Sequence, residues 1–503
     1  MSPKVFYFLF SIFYFLFLSI ASPIQAASPN VPLGSWVYPY IEKLSNLGYM
    51  ESYIAGQLPL TRMEAALLIE QAEKKYKLEG KSSKIIPHLL NRLKREFREE
   101  MDILSGETDY LNYLKPAQSF YFEYPYLGGS MDMENEAGRL YGEDSNFQGG
   151  FIARGGLGSR FAFLVHPEFR QRNHLGFTAD VIEAYGKSSL GPFEFEGGLD
   201  TMWWGQGRHG NLLLTNNAES FRMFKAGNST PIILPWLFRY MGATKFSFFI
   251  AQLEENRPNP DPYYRKPNFW GAKCSIKPHP VFEWGGTLTC VTVDLWDTIF
   301  GLRGIHGGKA NYHAGTDWNL RIPLKIQPIT LYGEHCGGDS GWAHLFGLYL
   351  PRVLALDKID LRLEYANTNM VENFSWYHHA ASNEGLTYRY KGRLIGHHMG
   401  RDADDLFIDL TCHLSSNLKI SFSFDRERHG IPYSVTEKKR EYTFSIEYWL
   451  KNYMNWYGTF QWEDTDNQGF SLGNDEGTGY IRTPYMIWPH AEFIRAYNHY
   501  KNT

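Results

Sequence analysis

From Leu418 to Asp425 apolar and polar residues alternate without a fault. Leu418, Ile420, Phe422 and Phe424 fall on one side of an extended chain, and Lys419, Ser421, Ser423 and Asp425 on the other. The same rhythm runs through Leu406, Ile408, Leu410, Cys412 and Leu414, and through Tyr442, Phe444, Ile446, Tyr448 and Leu450. Further copies occupy Trp318 to Ile326 and Leu361 to Tyr365. Such strands offer one face to an apolar medium and one to water, which suits a membrane β-barrel and also a soluble sandwich.

The beginning of the chain favours the barrel. Lys4 precedes an uncharged stretch from Val5 to Ala21, then Ser22, Pro23, Ala26 and Ala27, which is the layout of an export signal cut after Ala26, with a retained anchor as the alternative. No later segment supplies the roughly 18 consecutive apolar residues of a membrane helix, so a membrane-embedded chain would have to cross with strands.

Between Pro29 and Ser105 the period changes to between three and four. Ser35 opens a helix through Val37, Ile41, Leu44 and Leu47 that Gly48 stops, and Thr61 with Glu64 forms a capping box for one carrying Ala65, Leu68, Ile69 and Ala72. A third pattern joins Leu89, Leu90, Leu93, Phe97, Met101 and Leu104. The chain therefore divides into a signal peptide (1–26), a helical bundle or plug (27–114) and a β-barrel (115–503). At roughly 20 residues per strand and connection, the last part makes roughly 16 to 20 strands. Its longer interruptions, Glu254 to Lys266, Gly301 to Gly315 and Asn369 to Asp405, are expected as extracellular loops, and Ala491 to Tyr500 as the closing strand.

A net charge of -4 argues against a nucleic-acid partner, and 16% aromatic residues suit membrane girdles, sugar stacking or a large core alike. Cys274, Cys290, Cys336 and Cys412 lack a paired metal-binding spacing. Cys412, on an apolar face with Leu410 and Leu414, is expected as a lipid-facing free thiol.

The most distinctive stretch runs from Gly198 through Asp200, Thr201, Met202, Trp203, Trp204, Gly205, Gln206, Gly207, Arg208, His209 and Gly210, and continues with Leu212 to Leu214, Thr215, Asn216, Asn217 and Ala218. It resembles the Wzi-type capsule-assembly outer-membrane family, with Gln206 where a proline is common. Gly396 to Leu406, Asp425 to Gly430 and the leader at Val31 to Leu33 resemble that family too. The resemblance implies an all-β transmembrane barrel of about 18 antiparallel strands with a small N-terminal periplasmic α-helical bundle. It also implies a protein that binds or organises exported polysaccharide, with no cofactor and no turnover.

Trp203 and Trp204 offer flat faces for sugar rings, with Asn216 and Asn217 as hydroxyl partners, or else they pack a turn. Arg208 and Arg401, like Arg393, Arg426 and Arg428, can pair with acidic sugars or balance neighbouring carboxylates. Asp404 and Asp405 complete the expected polysaccharide-binding set. With Asp402 they offer oxygen ligands of the kind Ca²⁺ takes, but their spacing lacks the remaining ligands, so no metal is expected. The pairs His378-His379 and His397-His398 would diverge on a strand and are weak zinc candidates. Glu194 and Glu196 share a face about 7 Å apart, a separation near that of glycosidase carboxylates, yet a barrel lumen is charged without any chemistry.

The expected function is non-enzymatic binding, anchoring or organisation of capsular or related exopolysaccharide in the outer membrane of a Gram-negative-type bacterium. Its expected partners are the polysaccharide, outer-membrane lipid and the export machinery. A diffusion porin is the alternative, and a glycan hydrolase using Glu194 and Glu196 a lesser one. Trp36 to Glu64 also resembles a single S-layer-homology unit, for which wall tethering would be the role.

Overall fold

A computed structural model describes residues 26–487, apart from 80–82, 84, 108–111, 130–132, 256, 258–261, 301–309, 339–340, 370–375, 378–383 and 451–453. The expected signal segment before residue 26, the closing strand at 491–500 and His378-His379 lie outside the described residues.

Eighteen antiparallel strands, from Tyr113–Leu127 to Glu476–Ile487, form a closed barrel. A short piece, Ile232–Ile233, extends the edge of Phe221–Asn228 against the same neighbour. Closure comes where Leu127 pairs with Tyr480 and Tyr126 with Ile481. The alternating segments become strands Ile359–Asn367, Ala403–His413, Leu418–His429 and Glu437–Leu450. The pattern read through Trp318 stops at Ile322, in strand Ala310–Ile322, because Pro323 has no N–H to carry the ladder further.

Register keeps the two faces pure. Phe422 sits opposite Phe444, and Phe444 opposite Phe460, with all three rings on the outside. The intervening positions pair Ser421 with Ser445, Ser423 with Thr443 and Ser445 with Thr459, and these face inward. The outward apolar band continues round the wall through Phe163, Phe177, Phe224, Trp284 and Phe346, the surface that hydrocarbon would cover. No described helix is long and apolar enough to cross a membrane. Cys274 and Cys412 are accessible while Cys290 and Cys336 are buried, and all four are unbridged.

One end of the lumen is filled by helices Val37–Asn46, Arg62–Glu79, Ile86–Glu96 and Arg98–Leu104. Ile41, Leu44, Ile69, Leu93 and Phe97 pack their common core. The Glu64 N–H donates to Thr61 Oγ1 at 3.0 Å as the capping pattern requires. The Glu64 carboxylate does not fold back, however, and instead accepts from Lys245 Nζ of the wall at 2.7 Å. The third pattern breaks into two helices at Phe97. There Arg62 Nη2 donates to the Glu96 carbonyl at 2.6 Å, occupying an oxygen that a continuous helix would use.

Ion pairs join bundle and wall. Arg362 meets Glu42 at 2.8 Å, Lys43 pairs with Asp360, and Arg154 reaches Glu100 at 3.0 Å. Glu100 also accepts from Arg62 Nε at 2.7 Å. Burial alone would raise its carboxyl, but Arg62 and then Arg154 outweigh burial and hold it at about 2. Because the folded value is depressed, its contribution to docking is complete above the ordinary glutamate range and is lost as pH falls through about 2. The bundle should therefore become protease-sensitive in acid before the barrel unfolds. Glu100→Gln should reproduce that sensitivity at neutral pH, with a loss of about 3–5 kcal/mol for a broken buried pair. Equal protease resistance of variant and parent at pH 7 would refute this account of docking.

Candidate functional site

The segment after strand Phe193–Asp200 leaves the wall and crosses the lumen. Its two tryptophans form a two-residue strand, Trp203–Trp204, paired with Gln57–Leu58 between the helices. Trp203 packs into the helical core and Trp204 into the larger core beneath the opposite end. Burial therefore leaves neither indole presented as an open stacking platform.

Three wall glutamates hold this segment and its helical neighbour by their backbone amides. Glu283 accepts from the Ala55 and Gly56 N–H groups, each at 2.9 Å. Glu334 accepts from Gln206 (2.8 Å), Gly207 (3.0 Å) and Leu212 (3.0 Å). Glu364 accepts from Arg208 (2.8 Å) and His209 (3.0 Å). A turn inside a barrel has no strand to pair with, and these carboxylates supply the missing acceptors. Gly205, at φ +141, leaves no room for a side chain, since an added Cβ would meet Glu334 and Asn211. Arg208 is likewise structural, with Nε donating to Glu42 at 3.0 Å.

Leu212, Leu213 and Leu214 then form a shelf under the loop that follows strand Ile359–Asn367. Tyr377 and Tyr388 donate their hydroxyls to the Leu212 and Leu213 carbonyls, the latter at 2.7 Å, and the Thr215 N–H donates to Ile395 O at 2.9 Å. Asn217 accepts from the Asn135 N–H at 3.2 Å and donates to Leu394 O at 3.2 Å, which stitches two loops together.

On that support, at the end opposite the helices, lies a cleft of about 500 Å³ lined by Asn217, Arg389, Arg393, Arg401, Tyr433 and Phe470, among others. Among the described residues Asp402 is the one carboxylate in its lining, beside three guanidinium groups. Arg401 Nε stands 3.8 Å from Asp402, which also accepts from the Tyr433 hydroxyl at 3.2 Å. Tyr433 and Phe470 meet edge to face at 6.4 Å. Burial and the neighbouring Arg401 both push the Arg389 guanidinium below its ordinary value, the mark of crowded like charge. Cations beside aromatic faces in an open cleft can hold an anionic, hydroxyl-rich ligand.

Two further cavities, of about 490 and 320 Å³, follow the inner wall below. Trp203, Arg208 and Asn216 border the larger. Of the eight expected binding residues, then, Asn217 and Arg401 come together in the cleft. Asp404 lies away from the cleft, buried beneath Arg428 and Tyr365, and accepts from Arg428 Nε at 2.8 Å. Asp405 lies under the cleft within a histidine cluster.

That cluster corrects one expectation. His397 and His398 sit in a loop, so their rings do not alternate faces but lie 4.4 Å apart, with His209 4.6 Å from His398. Burial lowers the His209 imidazolium, yet Asp425 and Asp405 outweigh it and raise it to about 9. Glu134 and Glu427 do the same for His398. His397, buried beside those two rings, is driven well below the usual histidine range.

Glu194 and Glu196 do share a luminal face, but they are held by lysines. Lys187 Nζ lies 2.6 Å from Glu194 and 3.3 Å from Glu196, and Lys225 2.9 Å from Glu196. The space beside them measures about 40 Å³, too little for a sugar ring. Arg389, Tyr433 and Phe470 escaped the sequence reading because they come from loops far apart in the chain. The one signal was the excess of arginines from Arg389 to Arg401.

The family described as capsule assembly protein Wzi matches residues 128–478. Among solved structures, one from Escherichia coli is described as Wzi, an outer-membrane protein involved in group 1 capsule assembly and a carbohydrate-binding β-barrel. It is 15% identical, covers 92% of this chain and 99% of its own, and aligns at a TM-score of 0.69. Pseudomonas aeruginosa OpdQ and OprD are each 9% identical over 76% of this chain and 98% and 96% of their own, at a TM-score of 0.45. No curated protein matches the sequence.

Removing Glu334 strands three N–H groups at about 1–3 kcal/mol each. In planar bilayers Glu334→Ala should show channel openings that the parent lacks, because the luminal turn is released. Identical current traces would mean that the turn is held by something other than this carboxylate.

Proposed function

The chain belongs to the Wzi capsule assembly family, and on that footing we propose that it is an outer-membrane barrel that binds capsular or related acidic polysaccharide and holds it at the cell surface. The observation that carries this reading is the convergence of Arg389, Arg393 and Arg401 with Tyr433 and Phe470 on one cleft. The cleft opens at the end opposite the helices, and with the cleft outward this reading has the helical bundle face the periplasm, where the export machinery would meet it. Outer-membrane lipid covers the aromatic band between.

Binding here is electrostatic and shallow. Guanidinium groups pair with sugar carboxylates or other anionic substituents, and the two aromatic rings offer apolar faces to the pyranose. A single cleft of this kind is weak, but a polymer of repeating acidic units presents many copies, and the barrels of one cell surface engage it together. No bond is made or broken in this mechanism. The luminal glutamates and the Leu212 to Leu214 shelf contribute by keeping the cleft's floor in place.

In a deletion strain, total polysaccharide should be unchanged while most of it is shed into the medium, and the intact gene should restore retention. Unaltered retention would sink the anchoring role. The triple variant Arg389→Ser, Arg393→Ser, Arg401→Ser should bind the cell's own purified polysaccharide at least about tenfold more weakly, with a shallower salt dependence. Equal binding and equal salt slope would move recognition away from this cleft.

A further inference from the structure

We propose that His209 and His398, with the carboxylates of Asp425 and Glu134, form a site for a divalent transition metal of the zinc class. The site lies beneath the arginine cleft and is largely shielded: side-chain exposure is 3% for His398 and Asp425, 16% for His209 and 17% for Glu134. One ligand atom from each of Glu134, His209, His398 and Asp425 lies within 4.8 Å of all the others.

The four ligand atoms are close enough to share one ion, and Asp405 stands beside them as a neighbouring carboxylate. His398 Nε2 stands 3.0 Å from Glu134 Oε2 and 3.4 Å from Asp405 Oδ2. His209 Nε2 stands 3.5 Å from Asp425 Oδ2 and 3.6 Å from Asp405 Oδ2. Ligands about 2.0–2.1 Å from a tetrahedral zinc are separated from one another by about 3.3–3.4 Å. Charge-assisted hydrogen bonds between the same groups would close to about 2.7–2.9 Å. Most of these contacts have stopped at the longer distance.

A second observation is independent of spacing. His209 Nε2, His398 Nε2 and both oxygens of Asp405 and of Asp425 are buried without a hydrogen-bond partner. Buried polar atoms are nearly always hydrogen-bonded, and the atoms of His209, His398 and Asp425 that face one another here meet as ion pairs without that bond, so a shared cation is the partner they fit. Imidazole with carboxylate suits zinc, whereas calcium and magnesium prefer oxygen ligands throughout. Glu134, Asp405, Asp425 and Glu427 also crowd the site with negative charge, relieved by Lys439, which pairs with Glu134 and lies 3.3 Å from Glu427.

The imidazoles are already aimed. His209 stacks on Phe407 with centroids 4.0 Å apart and planes 6° apart. The other ring nitrogen of His398 faces the Asn135 amide at 3.4 Å, and that amide donates to His209 O at 2.7 Å. Such outer contacts orient metal-binding histidines. His209 borders both inner cavities and His398 the cleft, which gives an ion two routes of entry. The bound ion would join the loop carrying Glu134, the luminal turn, the cleft loop and the strand carrying Asp425, so its role is to lock the plug. This holds whatever the cleft binds.

The full-length barrel, purified in detergent and stripped with a chelator, should take up one Zn²⁺ per chain by calorimetry and no Ca²⁺ at the same site. His209→Gln, His398→Gln should weaken zinc binding by about a hundredfold or more while keeping the barrel's heat-resistant gel mobility. In crystals of the parent protein soaked with Zn²⁺, anomalous scattering at the zinc edge should place the ion between His209 and His398. That measurement decides the matter even if the double variant does not fold. No stoichiometric uptake by the parent, unchanged affinity in a folded double variant, or an anomalous peak elsewhere would each overturn the proposal.

Discussion

A barrel in lipid can leave no backbone N–H or C=O unpaired in its wall, and closing the sheet solves that problem for the strands alone. Eighteen strands then enclose a space too wide for their own side chains to fill, and the alternation that makes the outside apolar makes the inside polar. Whatever enters that space must bring or find hydrogen-bond partners for its own backbone. The helices bring theirs. The luminal turn from Gly205 to Leu212 cannot, and it depends on Glu334 and Glu364, from strands Ile329–Gly338 and Ile359–Asn367, while Glu283 of strand Phe282–Thr292 holds the adjoining Ala55 and Gly56.

Most of the remaining interior follows from those anchors. With the turn in place, Leu212 to Leu214 make a floor, the loop bearing Tyr377 and Tyr388 rests on it, and the arginine cleft forms above. Residues in the most distinctive motif therefore act chiefly as architecture. Trp203 and Trp204 are surrounded by protein because the motif passes through the middle of the barrel. The proposed binding surface is left to residues from the rim.

The wall was legible in the sequence because lipid imposes a simple rule on every second residue; Leu418 to Phe424 and Tyr442 to Leu450 obey it without exception. The helices were legible from Thr61 and from the spacing of Ile41, Leu44, Ile69 and Leu93. The break at Phe97 was not, since it depends on Arg62 reaching across from another helix. The cleft depends on contacts between distant loops, which local pattern does not record. Adjacent residues such as His397 and His398 diverge only on a strand, and these two lie in a loop.

The wheel offers a useful picture of what Glu283, Glu334 and Glu364 do to the wall. A thin cylinder squeezed sideways by its surroundings flattens into an ellipse, and the ladder hydrogen bonds resist that only weakly because strands can hinge about one another. Spokes running inward from Glu283, Glu334 and Glu364 to the neighbouring backbones of Ala55 to Gly56 and Gln206 to Leu212 oppose this deformation. This side of the barrel should keep its curvature as lateral pressure changes, while strands Leu418–His429 and Glu437–Leu450, whose inner faces border cavities, take up most of the strain.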